Sequence, residues 1–356
     1  MLRSPPCLNA DHAEPRNGHS GAVTAQKIGS ISVILITGPI LSPTNIFAPA
    51  STPAQTIQGL SFLVLTITGA IFLTVFSLLC YAVVKFRERK GRDAAEPAQV
   101  YGSAQIELAW TVVPVLIVAV LFLATVRVIA KIQNAEPPTG AIKVTVIGHQ
   151  YWWEYRYDDS KVVTANELHV PVSDPAHPTP TFLTLLSADT DHSFWVPRLA
   201  GKTDLIPNHP NSTWIDPHEI GLYLGQCSQY CGVQHAKMLL RVYVEARPDF
   251  DRWLTEQSRP AVASDSAAQG RQVFETTACV NCHTISGTAA NGKFGPDLTH
   301  LVSRETIAAG SVRNTPQNLR RWIDNPQKLK QGCLMPAMGL SDSQLDAITA
   351  YMESLR

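Results

Sequence analysis

The sequence predicts a multi-domain membrane protein built from a two-helix transmembrane hairpin, a β-sandwich and an all-α C-terminal domain. Three observations support this fold class. Two long runs, 60–84 and 108–126, contain no charged residue. From residue 142 onward, apolar and polar residues alternate with a period of two, which is typical of half-buried strands. Near the C-terminal end, apolar residues over 345–355 recur at the spacing of an amphipathic helix.

Residues 1–50 are predicted to be a signal or targeting segment. Residues 1–27 are polar and show no periodicity, and the apolar run 28–41 is too short to cross a bilayer comfortably. Ala48-Pro49-Ala50 is a small-residue pattern of the kind that signal peptidase recognises, so we expect cleavage after about Ala50. A retained N-terminal extension is the alternative.

Residues 51–133 are predicted to form the membrane hairpin. Each uncharged run is close to or beyond the ~20 residues that span a hydrocarbon core of ~30 Å. A short basic loop joins the runs and should stay cytoplasmic; it contains Lys85, Arg87, Arg89, Lys90 and Arg92. Both chain ends then face the outer side. A buried hairpin of a soluble core is disfavoured, because such a core does not need two uncharged runs of this length.

Glu107 directly precedes the second uncharged run. An acid at this position stabilises the start of a helix through the helix dipole. Ionisable groups at membrane depth are also candidates for function. The residues alone leave both interpretations open.

Residues 134–248 are predicted to form the sandwich, because short alternating strands are separated there by Pro, Gly, Asn and Asp clusters. One stretch, GQCSQYCGVQHAKM, contributes four metal-binding side chains, Cys227, Cys231, His235 and Met238. A thioether favours copper over zinc. Blue-copper sites use one cysteine, so two thiolates indicate a dinuclear copper centre. His192 is the candidate for a second imidazole; a disulfide and a structural zinc site are the alternatives.

Residues 249–266 mix charges with Pro, Ser and Ala and predict a linker. The pattern Cys-x-x-Cys-His follows at Cys279, Cys282 and His283. It attaches haem through two thiols and supplies the proximal histidine. A thioredoxin-like redox site is disfavoured, because no βαβ pattern surrounds the cysteines.

The last predicted helix begins at a capping box, Ser341 with Gln344. Its apolar residues recur at helical spacing; they are Leu345, Ile348, Met352 and Leu355. A helix of this kind closes a small α-helical domain around the haem motif.

Three segments together resemble subunit II of the haem–copper cytochrome c oxidases over roughly residues 50–247: the copper loop, HSFWVPRLAGKTD (192–204) and GHQYWWEY (148–155). The resemblance implies a cupredoxin-like sandwich that holds the dinuclear centre called Cu-A. The implied ligands are His192, Cys227, the backbone carbonyl of Gln229, Cys231, His235 and Met238. Most family members have Glu at the position of Gln229, where it helps to bind magnesium; Gln229 lacks that carboxylate, whereas Asp204 matches another family position near the magnesium site.

Residues 267–356 resemble a class I cytochrome c domain. That resemblance implies haem c, held covalently by Cys279 and Cys282 and ligated by His283. The distal ligand is then Met335, which precedes a proline, with Met338 as the second candidate.

The oxidase resemblance also suggests roles for three further residues. One aromatic residue of the family admits electrons above the copper pair; Tyr151 aligns with it and Trp152 is its neighbour. Glu107 matches a family position at the mouth of a proton path into subunit I.

Taken together, the two resemblances imply an electron-transfer subunit of a terminal respiratory oxidase. Electrons would pass from haem c to copper and on to subunit I, which reduces oxygen to water and pumps protons. Subunit I and subunit III are the implied partners, with an external cytochrome c or a quinol-oxidising complex as donor. The implied location is the bacterial inner membrane, with both cofactor domains on the periplasmic side.

Other classes of protein fit the sequence less well. With 29 basic and 29 acidic residues the chain has no net charge, which argues against a nucleic-acid partner. A copper-pair subunit of a nitrogen-oxide reductase is the alternative function, although the nitrous-oxide enzyme carries a large propeller that has no counterpart here. Subunit II of a quinol oxidase lacks the Cys and Met ligands.

Overall fold

The computed structural model of the protein describes residues 44–87, 99, 101–174, 176, 178–261 and 267–356. The predicted targeting segment lies outside the described residues up to position 43, and so does most of the predicted basic loop (88–98). The predicted cleavage after Ala50 stays a prediction. Ala50 itself is buried, and its N–H donates to the carbonyl of Arg198 at 2.8 Å.

Two long apolar helices follow, α1 (Thr52–Lys85) and α2 (Ala104–Gln133). Their 34 and 30 residues exceed the ~20 needed to span a bilayer. Their large apolar side chains are mostly exposed. Such surfaces need lipid or other membrane helices around them, and the two predicted membrane-spanning helices are thereby confirmed.

Hydrogen bonds tie both outer ends of the hairpin to the sandwich. At the start of α1, the Ser51 hydroxyl accepts from the N–H of Asp216 at 2.8 Å, and the Thr52 hydroxyl donates to the Asp216 carboxylate at 2.5 Å. At the end of α2, the indole N–H of Trp214 donates to the carbonyl of Ile132 at 2.9 Å. The sandwich is therefore seated directly on the two helix ends.

Ten strands form the sandwich, and they are β1 (Ile142–His149), β2 (Trp152–Tyr157), β3 (Val162–Ala165), β4 (Glu167–Pro171), β5 (Thr181–Ser187), β6 (His192–Trp195), β7 (Thr203–Leu205), β8 (Asn211–Ile215), β9 (Gly221–Cys227) and β10 (Leu239–Glu245). The strand order is β3-β2-β1-β5-β8 in one sheet and β4-β10-β9-β6-β7 in the other. The predicted alternation is present, because Val144 and Val146 are fully buried while Lys143 is exposed. The apolar core lies between the sheets.

A third helix, α3 (Arg247–Gln257), occupies the beginning of the predicted linker. Helix α3 therefore covers the first part of the predicted linker, whose bounds of 249–266 stay a prediction. Phe250 and Trp253 lie three positions apart on one helix face. Phe250 is fully buried, and the Trp253 ring stacks on His169 with 4.2 Å between ring centroids. This apolar face holds the helix against the sandwich in spite of its charged composition.

The C-terminal domain consists of five helices and a short strand pair: α4 (Ala268–Thr276), α5 (Cys279–Cys282), β11 (Thr306–Ile307), β12 (Val312–Arg313), α6 (Pro316–Asp324), α7 (Pro326–Leu329) and α8 (Asp342–Ser354). Helix α4 crosses α8 at Gly270, where an added Cβ would lie 2.0 Å from the carbonyl oxygen of Ala347. The predicted capping box of α8 is confirmed. All four of its predicted core residues are buried.

Phe250→Ala tests the packing of α3. Removing a fully buried phenylalanine should lower the free energy of unfolding by about 3–5 kcal/mol, through lost apolar burial and the cavity left behind. Denaturant unfolding of the purified chain, followed by tryptophan fluorescence, measures the change. Arg252→Ala is the control, because its ion pair with Asp249 is exposed and should contribute under about 1 kcal/mol. A loss below about 1 kcal/mol for Phe250→Ala would show that α3 does not pack on the sandwich in solution.

Candidate copper and haem sites

The copper loop connects two neighbouring antiparallel strands of one sheet. Cys227 ends β9, and β10 starts directly after Met238. The N–H of Cys227 donates to the carbonyl of Met238 at 2.9 Å and closes the loop. His192 starts β6, which pairs with β9 on its other edge. The sheet thus brings together ligands that are up to 46 positions apart in the chain (238 − 192).

All six predicted copper-binding groups converge. The Sγ atoms of Cys227 and Cys231 are 3.8 Å apart. His192 Nδ1 lies 3.9 Å from Cys227 Sγ, and His235 Nδ1 lies 3.7 Å from Cys231 Sγ. Met238 Sδ is 3.8 Å from Cys231 Sγ. The carbonyl oxygen of Gln229 is 3.2 Å from Cys227 Sγ.

This arrangement separates the three interpretations of the loop. A disulfide needs sulfur atoms about 2.05 Å apart, and these are 3.8 Å apart. A structural zinc ion takes four ligands in a tetrahedron, whereas six donor groups meet here and each imidazole faces a different thiol. Thiolate, imidazole and thioether donors together are the set that copper prefers, and the dinuclear centre stays a prediction.

A hydrogen bond joins the thiol groups of Cys227 and Cys231. It lowers the pKa of Cys227 and raises the pKa of Cys231. The shift favours a thiolate at Cys227, and the thiolate is the form that binds metal.

Asp189 orients His192, a role that the sequence did not reveal. Its carboxylate accepts from His192 Nε2–H at 2.8 Å and leaves Nδ1 directed at Cys227. Burial raises the pKa of Asp189, but hydrogen bonds from His192 and from the N–H groups of Gln150 and Thr190 outweigh it and hold the pKa below its ordinary value. Carboxylates of this kind fix the tautomer of a ligating histidine.

The haem motif lies in the wall of a mainly apolar cavity. Cys279 and Cys282 lie on α5, and His283 follows at its end. His283 Nδ1–H donates to the carbonyl of Pro296 at 2.7 Å, which leaves Nε2 for iron. Gly295 lies so close to this ring that an added Cβ would be 2.6 Å from it. Burial lowers the pKa of His283 and favours the neutral imidazole that binds metal.

Met335 and Met338 both line this cavity. The loop that carries Met335 is held by the Gln327 side chain. Its amide Nε2 donates to the carbonyls of Cys333 and Met335 at 2.9 and 3.1 Å, and its Oε1 accepts from the N–H of Gly332 at 2.7 Å. The cavity thus offers a cysteine pair, a histidine and a methionine, as haem c requires.

Arg304 also lines the cavity and was missed by sequence reasoning, because nothing in the sequence separates it from a surface arginine. It is 7 % exposed, and burial lowers the pKa of its guanidinium. Its Nη2 donates to the carbonyl of Asp297, whereas its Nε has no partner within the described residues. A buried guanidinium needs counter-charges; the carboxylates of Asp297 and Glu167 act on it, and a haem propionate would add another.

The sandwich completes the cavity wall with Gln150, Tyr151, Trp152 and Asn166. Two of these residues also contact the copper loop. Gln150 Nε2 donates to the carbonyl of Cys231 at 2.6 Å, and a Cβ added to Gly232 would lie 2.5 Å from the Tyr151 hydroxyl. Trp152 stacks on His149 with 4.2 Å between ring centroids. Gln150 had no signal of its own in the sequence beyond its place in the segment GHQYWWEY (148–155).

Glu107 lies in the first turn of α2, as the helix-start interpretation expects. Helix α2 meets the sandwich through its opposite end, at Ile132. Glu107 is therefore separated from both candidate sites by the length of the helix, and the predicted proton path stays a prediction.

Asp189→Asn should weaken copper binding by about 10–100-fold, because the neutral amide no longer fixes the His192 ring through a charge-assisted hydrogen bond. Copper titration of the purified chain measures the loss. Asp191→Asn is the matched control, since Asp191 is exposed and two positions away. Equal affinities of the two variants would contradict the role of Asp189.

Three family descriptions match the chain. "Cytochrome C oxidase subunit II, transmembrane domain" matches residues 42–128, and "Cytochrome C oxidase subunit II, periplasmic domain" matches residues 175–245. "Cytochrome c" matches residues 267–356. The three matches follow one another along the chain in the order of the hairpin, the sandwich and the helical domain.

Similar proteins carry the same description. "Cytochrome c oxidase subunit 2" of Alkalihalophilus pseudofirmus is 32% identical over 336 residues, which cover 92% of this chain and 95% of the relative. The Bacillus sp. (strain PS3) protein of that name is 30% identical over 291 residues, 76% of this chain and 80% of the relative. The crystal structure of the periplasmic domain of subunit II of cytochrome oxidase of Bradyrhizobium japonicum is 28% identical, covering 34% of this chain and 96% of that one with a TM-score of 0.32.

None of the relatives named here is a nitrogen-oxide reductase subunit, so the alternative function has no support from them. The family matches, the two membrane helices and the convergent ligand sets agree with one another. The chain belongs to the cytochrome c oxidase subunit II family, and it is an electron-transfer subunit of a terminal oxidase with a cytochrome c domain at its C-terminal end.

Proposed function

We propose that this chain transfers electrons from a covalent haem c to a Cu-A centre and on to subunit I. One observation carries the proposal: a single stretch of the sandwich, Gln150–Tyr151, forms part of the haem cavity and also contacts the copper loop. The haem and the copper pair, when bound, each take up and release one electron.

At the haem, the chain binds and orients the group. Cys279 and Cys282 would form the covalent bonds, and His283 would ligate iron through Nε2 because Nδ1 is held by Pro296. Arg304 would neutralise a haem propionate with its unpaired Nε. Met335 is the proposed distal ligand, held in place by Gln327.

Between the two sites, Tyr151 is the better candidate for the electron route. Its side chain is 8 % exposed and lies against Gly232, next to the ligand Cys231. Gln150 provides a parallel path through its hydrogen bond to the carbonyl of Cys231. Trp152 lines the cavity and stacks on His149, so we assign it to the cavity wall rather than to the transfer of the electron to copper.

At the copper centre, the chain limits the movement of the proposed ligands. His192, Cys227, Gln229, Cys231, His235 and Met238 are the proposed ligands. They lie on β6, at the end of β9 or in the loop that joins β9 to β10. Electron transfer is fast when the ligand geometry changes little between redox states, and a loop anchored on neighbouring strands restricts that change.

The remaining assignments follow from this role. We propose that subunit I carries the oxygen chemistry and the proton pump, with subunit III beside it and Glu107 at the mouth of a proton path. An external cytochrome c or a quinol-oxidising complex would supply the electrons. The hairpin would lie in the bacterial inner membrane, with the domains over 134–248 and 267–356 in the periplasm and a linker shortened to the residues after α3.

Electron paramagnetic resonance combined with metal analysis of the purified chain tests the function. We expect one unpaired electron shared by two equivalent copper nuclei, and haem that stays on the denatured polypeptide. A signal from a single copper nucleus would reduce the site to a mononuclear carrier. Zinc that persists after copper loading would end the electron-transfer proposal for the sandwich.

Met335→Ala tests the distal ligand. Loss of the thioether should abolish the absorbance band of the methionine–iron(III) bond and lower the haem potential, because a His–Met pair raises that potential. Optical redox titration measures both. Met338→Ala is the matched control, since Met338 lines the same cavity and should leave the band unchanged. The reverse pattern would transfer the role to Met338.

A further inference from the structure

Glu167 is a buried carboxylate of the sandwich whose side-chain partners, within the described part of the chain, all belong to the cytochrome domain. It starts β4 and is 1 % exposed. Its Oε2 accepts from the N–H of Glu305 at 3.0 Å. Its Oε1 accepts from the N–H and the hydroxyl of Thr306 at 2.8 and 2.5 Å.

The Glu167 carboxylate is a specific acceptor for the backbone N–H groups of residues 305 and 306. A carboxylate is costly to bury unless its oxygens are hydrogen-bonded. Here the two oxygens face two successive backbone N–H groups, so the contact fixes direction as well as distance. Hydrogen bonds to an ionised acceptor are about twice as strong as those between neutral groups. The nearby ion pair of Arg241 with Glu305 spans 3.6 Å and has an exposed glutamate, so it contributes much less.

The segment held by Glu167 leads directly to both redox sites. Residues 306–309 line the haem cavity. At the end of this segment, the carbonyl of Ala309 accepts from the N–H of Leu239, the residue after the copper ligand Met238, at 3.3 Å. The ammonium of Lys330 joins the carbonyl of Ala308 to that of Tyr151, at 3.3 and 2.8 Å. A shift at Thr306 would therefore move the cavity relative to the Tyr151 wall.

We propose that Glu167 is a positioning residue: it holds the cytochrome domain on the sandwich in the orientation that places the haem cavity against Tyr151, and so sets the rate of electron transfer to copper. The proposal rests on the function proposed above. Glu167 is not itself in the lining of the cofactor cavity; its side chain hydrogen-bonds to residues 305 and 306, and its charge also acts on Arg304, which lines the cavity.

Glu167→Gln in the full chain, loaded with haem and copper, is the direct test. The variant keeps the shape of the side chain but opposes an amide N–H₂ to one backbone N–H, which should lower the docked fraction and the transfer rate by about tenfold. A photoexcited ruthenium complex reduces the haem, and the absorbance of the haem then reports its reoxidation. The optical and resonance spectra of both centres should not change, which a general loss of structure would not allow.

Two further variants keep the test decisive. Glu305→Gln is the matched control, because it removes a charge at the same contact but keeps the backbone N–H, and its rate should stay within about twofold of the original. Thr306→Val removes only the hydroxyl and should slow transfer less than Glu167→Gln. In the double variant the two effects should not add, because both residues serve one contact. If Glu167→Gln loses a cofactor, the transfer rate of Thr306→Val alone tests the positioning role.

Amide hydrogen exchange provides a readout that does not depend on copper. The amides of residues 305 and 306 should exchange faster in Glu167→Gln than in the original chain, because their acceptor is weakened. An unchanged transfer rate in a fully loaded Glu167→Gln variant, or unchanged exchange at these amides, would overturn the positioning role. If the original chain itself shows no haem-to-copper transfer, the proposed function fails, whereas the exchange result still reports on Glu167.

Discussion

The close approach of two thiol groups, 3.8 Å apart on one loop, is the constraint on which the rest of the structure depends. Neighbouring thiolates repel each other, so the loop must be held from both sides. The β9–β10 pair supplies that frame, and Asp189 holds the imidazole that arrives from β6. The two membrane helices, in turn, seat the same sandwich at Ser51 and Trp214. The same β-sandwich therefore holds the thiol loop and rests on the ends of the two membrane helices.

The sandwich and the cytochrome domain both contribute residues to the wall of the haem cavity. Tyr151 and Gln150 belong to the sandwich, yet they line the space that holds the haem ligands. The same residues contact Gly232 and Cys231 of the copper loop. Neither domain alone contains all the residues that line this cavity, so in the proposed function the docking of the two domains affects electron transfer.

The features that sequence reasoning predicted are local ones: the uncharged runs, the strand alternation, the ligand loop, the Cys-x-x-Cys-His motif and the capping box at Ser341. Those it missed depend on distant partners. Helix α3 is stabilised because Phe250 and Trp253 pack against the sandwich. Arg304 is distinguished by burial alone, and Glu167 meets residues 138 and 139 positions away. No pattern within a short window encodes such contacts.

Several contacts between the cytochrome domain and the sandwich involve backbone groups, as at Glu167, Lys330 and Leu239. Two separate proteins usually bury more than about 1,000 Å² to associate stably. Two domains of one chain do not have to meet that requirement, because surfaces joined covalently meet at an effective concentration on the order of millimolar. Docking then needs only modest intrinsic affinity. In the proposed function, the remaining surface of the cytochrome domain would be left for an external electron donor, while the domain itself stays joined to the sandwich.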